Sequence, residues 1–207
     1  MTFLYWSAWF AARCLARFWF RCEIVHADRV PATGPVILAS NHASFADPPL
    51  VGSSMNRAGY FLARDTLFNV PVFGWYIRKI HAVPVNRDGG GGAGLKAILD
   101  RLAAGAAILL FPEGTRSPDG NLLPARSGIG LTVIKSTAPV IPVRIHGSFE
   151  AWGRHRKLPR PGKVRVVFGE AMDFSALRAE AATCDKARLK AIYQEVADSI
   201  MARIAQL

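Results

Sequence analysis

Apolar and polar positions along this chain follow two periods. Short, largely apolar runs recur at residues 36–39, 60–63, 82–85, 106–111, 140–145 and 164–168, interrupted only by Arg144 and Arg165. Each is too short for a helix, and turn-forming or polar residues bound it, so each predicts a buried strand. Between and after these runs the spacing changes. Leu95, Ile98, Leu99 and Leu102 recur at three and four, as do Leu189, Ile192, Val196, Ile200 and Ile204. That is the apolar stripe of an amphipathic helix. Strands alternating with helices predict an α/β fold: a single domain whose central sheet, mostly parallel or mixed, is flanked by helices.

The first segment fits neither period. Residues 3–12 are almost wholly apolar and include Trp6, Trp9 and Phe10. Arg13, Arg17 and Arg21 then recur every fourth residue, with Phe18, Trp19 and Phe20 among them. A spanning helix needs about twenty apolar residues, and this run is half that before its first arginine. A helix lying in the bilayer interface fits better, its guanidiniums among lipid phosphates and its rings at headgroup depth. The pattern also suits an amphipathic helix packed on its own domain, and the tryptophans favour the interfacial reading. The expected organisation is an N-terminal amphipathic, membrane-associated helix over residues 1–22 and a folded domain over 23–207.

Two polar blocks interrupt the apolar pattern directly after predicted strands. The first is Asn41-His42-Ala43-Ser44-Phe45-Ala46-Asp47 and the second Phe111-Pro112-Glu113-Gly114-Thr115-Arg116-Ser117. In open α/β sheets, ligands gather beyond the carboxyl ends of strands. A neutral imidazole at His42 can take a proton from a hydroxyl near neutral pH, and a carboxylate at Asp47 would orient it. Five residues of separation do not stack two side chains on one helix. The pair meets if His42 sits in a turn and Asp47 opens the helix beyond, where Pro48 and Pro49 are tolerated. Asn41 and Ser44 can satisfy the backbone of that turn.

An ordinary capping turn would explain the first block by itself; the second block shifts the balance. Arg116 offers a planar fork to a phosphate or carboxylate, Gly114 lets backbone approach a ligand, and Glu113 can accept from a hydroxyl or hold Arg116. Arg87, just past the 82–85 run, would complete an anion clamp. The apolar 138–143 stretch with Pro142 can only form a strand or a pocket wall. Together the blocks suggest a site that deprotonates an alcohol beside an anionic group. Gly89 to Gly92 lack the spacing of a phosphate-binding or dinucleotide loop and read as a flexible connection.

Composition narrows the class. Half the residues are hydrophobic, which excludes a disordered chain. A net charge of +11 attracts polyanions, nucleic acid or an anionic leaflet. The basic run Arg154, Arg156, Lys157, Arg160, Lys163, Arg165 is broken by Pro and Gly and has no interleaved aromatic stacking platform beyond its edges. Nucleic acid is therefore the weaker partner. Cys14, Cys22 and Cys184 leave an odd count without C-x-x-C spacing, which argues against a disulfide framework or a structural zinc and for a reducing, cytosolic side. No secretory signal is read at the start.

As a set, these residues resemble the glycerolipid acyltransferases, above all the 1-acyl-glycerol-3-phosphate (lysophosphatidate) acyltransferases. The family's N-H-x4-D motif is matched by Asn41, His42 and Asp47, and its E-G-T-R-S block by Glu113, Gly114, Thr115, Arg116 and Ser117. Its arginine motif is matched at Arg87, and its proline-containing strand around Pro142. The matches stand in family order. Where many relatives carry a lysine after the second block, this chain has Arg126-Ser127-Gly128; many relatives also have a longer hydrophobic N-terminus.

The resemblance implies transfer of a fatty acyl group from acyl-CoA or acyl-carrier protein to a glycerophosphate hydroxyl. His42 would be the base, Asp47 its charge partner, and Arg87 and Arg116 the phosphate ligands, with Glu113, Gly114 and Thr115 shaping that pocket and Asn41, Ser44, Ser117 and Pro142 in support. No metal or other cofactor is expected. The expected partners are a lysophospholipid, the acyl donor and an anionic membrane surface on the cytoplasmic face, where the protein would be peripheral or monotopic. The alternatives are acylation of another lysophospholipid or of glycerol-3-phosphate, and, from another class, a nucleic-acid-binding or non-catalytic lipid-binding protein.

Overall fold

A computed structural model describes residues 3–85 and 92–207. Arg87 and the glycines at 89–91 lie outside the described residues. Among those described, seven strands form one sheet: β1 (Glu23–Val25), β2 (Val36–Ser40), β3 (Gly59–Arg64), β4 (Ala82–Val85), β5 (Ala107–Leu110), β6 (Val140–His146) and β7 (Arg165–Phe168), in the order β1-β7-β6-β2-β5-β3-β4. The β2, β3, β4, β5 and β6 ladders are parallel, and β7 runs antiparallel to β6. The sheet is therefore mixed, as the sequence pattern predicts. All six predicted runs form strands; β1, only three residues long, is additional.

Side-chain alternation sorts the sheet residues between two apolar layers. Ile37, Ala39, Ile108 and Leu110 face helices α4 (Gly92–Ala103), α5 (Ser127–Lys135) and α8 (Lys186–Ala205), meeting Ile98, Val133, Ile192, Val196 and Ile200. Val36, Leu38, Ala107 and Leu109 face the other way, against Leu50 and Val51 of α2 (Asp47–Ser54) and Ala151 of α6 (Ser148–Trp152). Helix α8 starts at an Asp185 cap, whose carboxylate accepts from the Arg188 N–H at 2.7 Å. Helices α3 (Phe73–Lys79) and α7 (Ser175–Ala181) have seven residues each.

The first helix, α1 (Phe3–Cys14), runs into a π-helical turn at Leu15–Trp19. One side of it docks on the domain. The buried Tyr5 hydroxyl accepts from the Gly59 N–H at 3.1 Å, and the Trp9 indole donates to the Met55 carbonyl at 3.2 Å. His81 stacks between Tyr5 and Tyr60, with ring centroids 4.5 Å away on each side. Phe3, Trp6, Phe10, Leu15, Phe18 and Trp19 remain exposed. The expected arginine stripe is only partly present. Arg13 turns inward, donating to the Ser53 carbonyl at 2.9 Å with its guanidinium over Trp9, while Arg17 and Arg21 are exposed. The carbonyl at the end of α2 offers Arg13 a partner that water-facing neighbours lack. No helix among the described residues is long and apolar enough to cross a membrane.

Candidate active site

Strands β2 and β5 are neighbours in the sheet and parallel, so the two polar blocks leave it side by side. His42 sits in the turn after β2, and Asp47 is the first residue of α2. The side chain of Asp47 is wholly buried. Its Oδ2 accepts from the backbone N–H groups of Ala43 and Ser44, both at 2.7 Å, and lies 2.8 Å from His42 Nδ1. The backbone donors fix the carboxylate before the imidazole meets it. A carboxylate accepting at Nδ1 holds the proton there and leaves Nε2 as the basic nitrogen. The imidazole also stacks on Phe111, with centroids 3.9 Å apart, so both tilt and tautomer are set.

The second block grips the first at its backbone. The Ser117 N–H donates to the His42 carbonyl at 2.7 Å, and Glu113 Oε1 accepts from the His42 N–H at 3.3 Å. Gly114 makes the sharp exit from β5 with φ of +68°, and a Cβ there would crowd the stem of Arg126. Thr115 and Arg116 then enter the wall of a cavity of about 850 Å³ that His42 also lines. The Arg116 guanidinium lies 3.6 Å from the Phe45 ring centroid, and Phe45 leans on Trp152. Much of the remaining wall is apolar, with Trp9, Phe61, Leu62, Leu67, Ile77 and Ile80.

The remaining residues of the two motifs are structural. Asn41 bonds both backbone atoms of Ile145, tying the end of β2 to β6. Ser44 donates to the Trp152 carbonyl at 2.8 Å and accepts from the Ala46 N–H. The Ser117 hydroxyl donates to Asp119. Pro142 lies inside β6 opposite Ala39, where its carbonyl accepts from Gly169; it is outside the cavity wall. Two cationic wall residues are not singled out by the sequence motifs, Arg64 and Arg154. Arg64 ends β3, beside β5, so the strand-end argument that selects Arg87 applies to it equally. Among the described residues no cluster of three or more His, Cys, Asp or Glu side chains suits a metal ion.

Glu113 sits elsewhere than a phosphate ligand would. It is buried behind His42 and does not line the cavity. Burial pushes its carboxyl up to about 7; the Asp47 charge adds to the rise, while the His42 N–H and Arg144 oppose it. A raised carboxyl pKa means that the folded state binds a proton more tightly than the unfolded chain. The resulting stability is complete below about pH 4.5 and is lost as pH climbs through about 7. Glu113→Gln removes that slope. Urea denaturation of parent and variant should diverge between those pH values, the parent losing about 3 kcal/mol relative to the variant. Parallel stability curves would contradict a buried, proton-binding Glu113.

Known proteins resemble this chain in sequence and in fold. A family model described as acyltransferase matches residues 21–146. The chain is 30% identical to a chloroplastic 1-acyl-sn-glycerol-3-phosphate acyltransferase, BAT2, of Brassica napus, over 83% of this chain and 50% of that protein. It is 25% identical to the 1-acyl-sn-glycerol-3-phosphate acyltransferase of Bacillus subtilis, over 75% and 77% of the respective chains. It thus spans half the length of the plant relative. The crystal structure of the 1-acyl-sn-glycerophosphate acyltransferase PlsC of Thermotoga maritima superposes with a TM-score of 0.71 and 27% identity, covering 96% of this chain and 78% of that one. The matched segment exceeds half of the chain and contains both polar blocks, so the protein belongs to the acyltransferase family.

Proposed function

We propose that the protein transfers a fatty acyl group from an acyl thioester, acyl-CoA or acyl-carrier protein, to the free hydroxyl of 1-acyl-glycerol-3-phosphate, giving phosphatidate. One observation carries the reading: the imidazole held by Asp47 and the guanidinium of Arg116 share one cavity with a largely apolar wall. His42 Nε2 takes the hydroxyl proton as the acceptor oxygen attacks the thioester carbonyl carbon. The C–O bond forms, the tetrahedral intermediate collapses, and the C–S bond breaks. The imidazolium, steadied by Asp47, returns its proton to the leaving thiolate. Arg116 pairs with the acceptor phosphate, assisted by the cationic wall residues Arg64 and Arg154, and Arg87 is a further ligand on sequence grounds. The apolar wall takes an acyl chain. The exposed aromatic side of α1 lies on an anionic leaflet, where acceptor and product reside.

An acceptor panel with labelled oleoyl-CoA tests the reading. Lysophosphatidate should be strongly preferred; equal rates on lysophosphatidylcholine would overturn the choice of acceptor. Arg116→Ala should raise the acceptor KM by about 10- to 150-fold, the loss of a charged hydrogen bond worth about 1.5–3 kcal/mol, with a smaller change in kcat. An unchanged acceptor KM would remove Arg116 from phosphate binding.

A further inference from the structure

Between β3 and β4 the chain makes a 3-10 turn at Asp65–Asn69 and then α3. The apolar side chains of this excursion point outward: Leu67, Val70, Phe73, Trp75 and, most of all, Val72, which is 80% exposed. Val72 has φ of +63° and ψ of −55°, and the Phe73 N–H donates to the Pro71 carbonyl at 2.6 Å. That is the rare positive-φ γ-turn, strained for any side chain and more so for a β-branched one. The strain is held from behind. Gly74 packs so closely on the Phe68 backbone that no Cβ fits, its N–H donates to the Val70 carbonyl at 2.7 Å, and Phe68 and Ile77 are buried beneath. A rigid base thus pushes an apolar tip into solvent, which is unfavourable in water.

Charge identifies what covers the tip. From residue 66 to residue 80 there is no acidic residue, and Arg78 and Lys79 are exposed at the end of α3. An apolar, tryptophan-bearing tip with cations behind it matches an anionic bilayer interface, rings and aliphatics below the headgroups and cations at the phosphates. Position points the same way. Leu67 and Phe73 belong both to the tip and to the cavity wall, whose other side is Tyr5, Ala8 and Trp9 of α1. The cavity therefore has an exposed apolar element on each flank. We infer that the 67–79 excursion is a second bilayer-docking element, opposite α1, so that the cavity mouth is pressed onto the leaflet and acyl chains enter it sideways. This rests on the membrane reading above.

The test reports each flank separately. With Cys14, Cys22 and Cys184 replaced by serine, a nitrobenzoxadiazole dye is attached either at Phe10→Cys on α1 or at Trp75→Cys on α3. On phosphatidylcholine–phosphatidylglycerol vesicles both dyes should brighten and shift to the blue. A shift at position 10 with none at position 75 would overturn the second element and leave the membrane reading standing. No shift at either would remove both. A shift at position 75 that grows with protein concentration without lipid would assign the tip to a second copy of the chain and overturn the bilayer assignment. As a second measurement, Val72→Asp combined with Trp75→Asp should lower vesicle partitioning by about tenfold or more. Aspartate lacks the β-branching that makes valine the costlier residue at positive φ, so the substitution adds no backbone strain. Turnover of a water-soluble short-chain lysophosphatidate should stay within about twofold of the parent, as for surface changes away from a site. Unchanged partitioning would overturn the proposal.

Discussion

Replacing His42 with alanine should lower the proposed acyl transfer by about a thousandfold, the scale of a lost general base. The effect is chemical because the substitution leaves the turn intact. Asp47 Oδ2 keeps two backbone donors, Ala43 and Ser44, and the His42 backbone keeps its bonds to Glu113 and Ser117. Thermal unfolding of the variant should therefore stay near that of the parent while turnover of lysophosphatidate with labelled oleoyl-CoA collapses. More than a tenth of the parent rate in a folded variant would deny the imidazole its role and favour a lipid-binding function without catalysis. Asp47→Asn would be a poorer probe, since it disturbs an acceptor that also organises the backbone.

Gly130→Ala carries the largest expected cost to the fold. Gly130 lies on α5 where that helix crosses α8, and a methyl group there would overlap the Tyr193 carbonyl of α8. Backbone cannot step aside as a flexible side chain can, so the two helices must separate. Val133 of α5 and Ile192 and Val196 of α8, all fully buried in the layer beneath β2 and β5, lose contact together. Overpacking of this kind costs about 3 kcal/mol. For a domain of this size that lowers the midpoint of thermal unfolding by about 6–12 °C. A midpoint within about a degree of the parent would show that the crossing yields easily.

The fold is legible in the sequence where burial is two-sided. Strands β2 and β5 are buried at every residue, so they appear as continuous apolar runs. Helix α8 is legible from its spacing. Strand β1 is not, because its three residues are at best half-buried and begin with Glu23. Helix α5 is hidden for the reason that makes Gly130 sensitive. Its sequence, Ser-Gly-Ile-Gly-Leu-Thr-Val-Ile-Lys, is poor in helix formers, and packing on α8 overrides propensity.

In the site, the residue types and their order identify the His42–Asp47 contact and the company of Arg116. They do not identify orientation. Glu113 could face either side of the turn after β5; positive φ at Gly114 separates it from Arg116 and sends it behind His42. Arg13 likewise belongs to a regular sequence stripe, yet a free carbonyl on α2 draws it inward.

Most of the apolar wall of the cavity comes from residues 48–80, in the long excursion of chain between the two blocks, together with α1. The His42 imidazole and the Arg116 guanidinium belong to the blocks themselves, which are fastened to each other at the ends of β2 and β5. Under the proposed function, holding a fatty chain and breaking its thioester would thus fall to separate parts of the polypeptide. Lengthening or bending the excursion would reshape the cavity wall while leaving His42, Asp47 and Arg116 on their own anchors, so the two halves of the site are free to change independently.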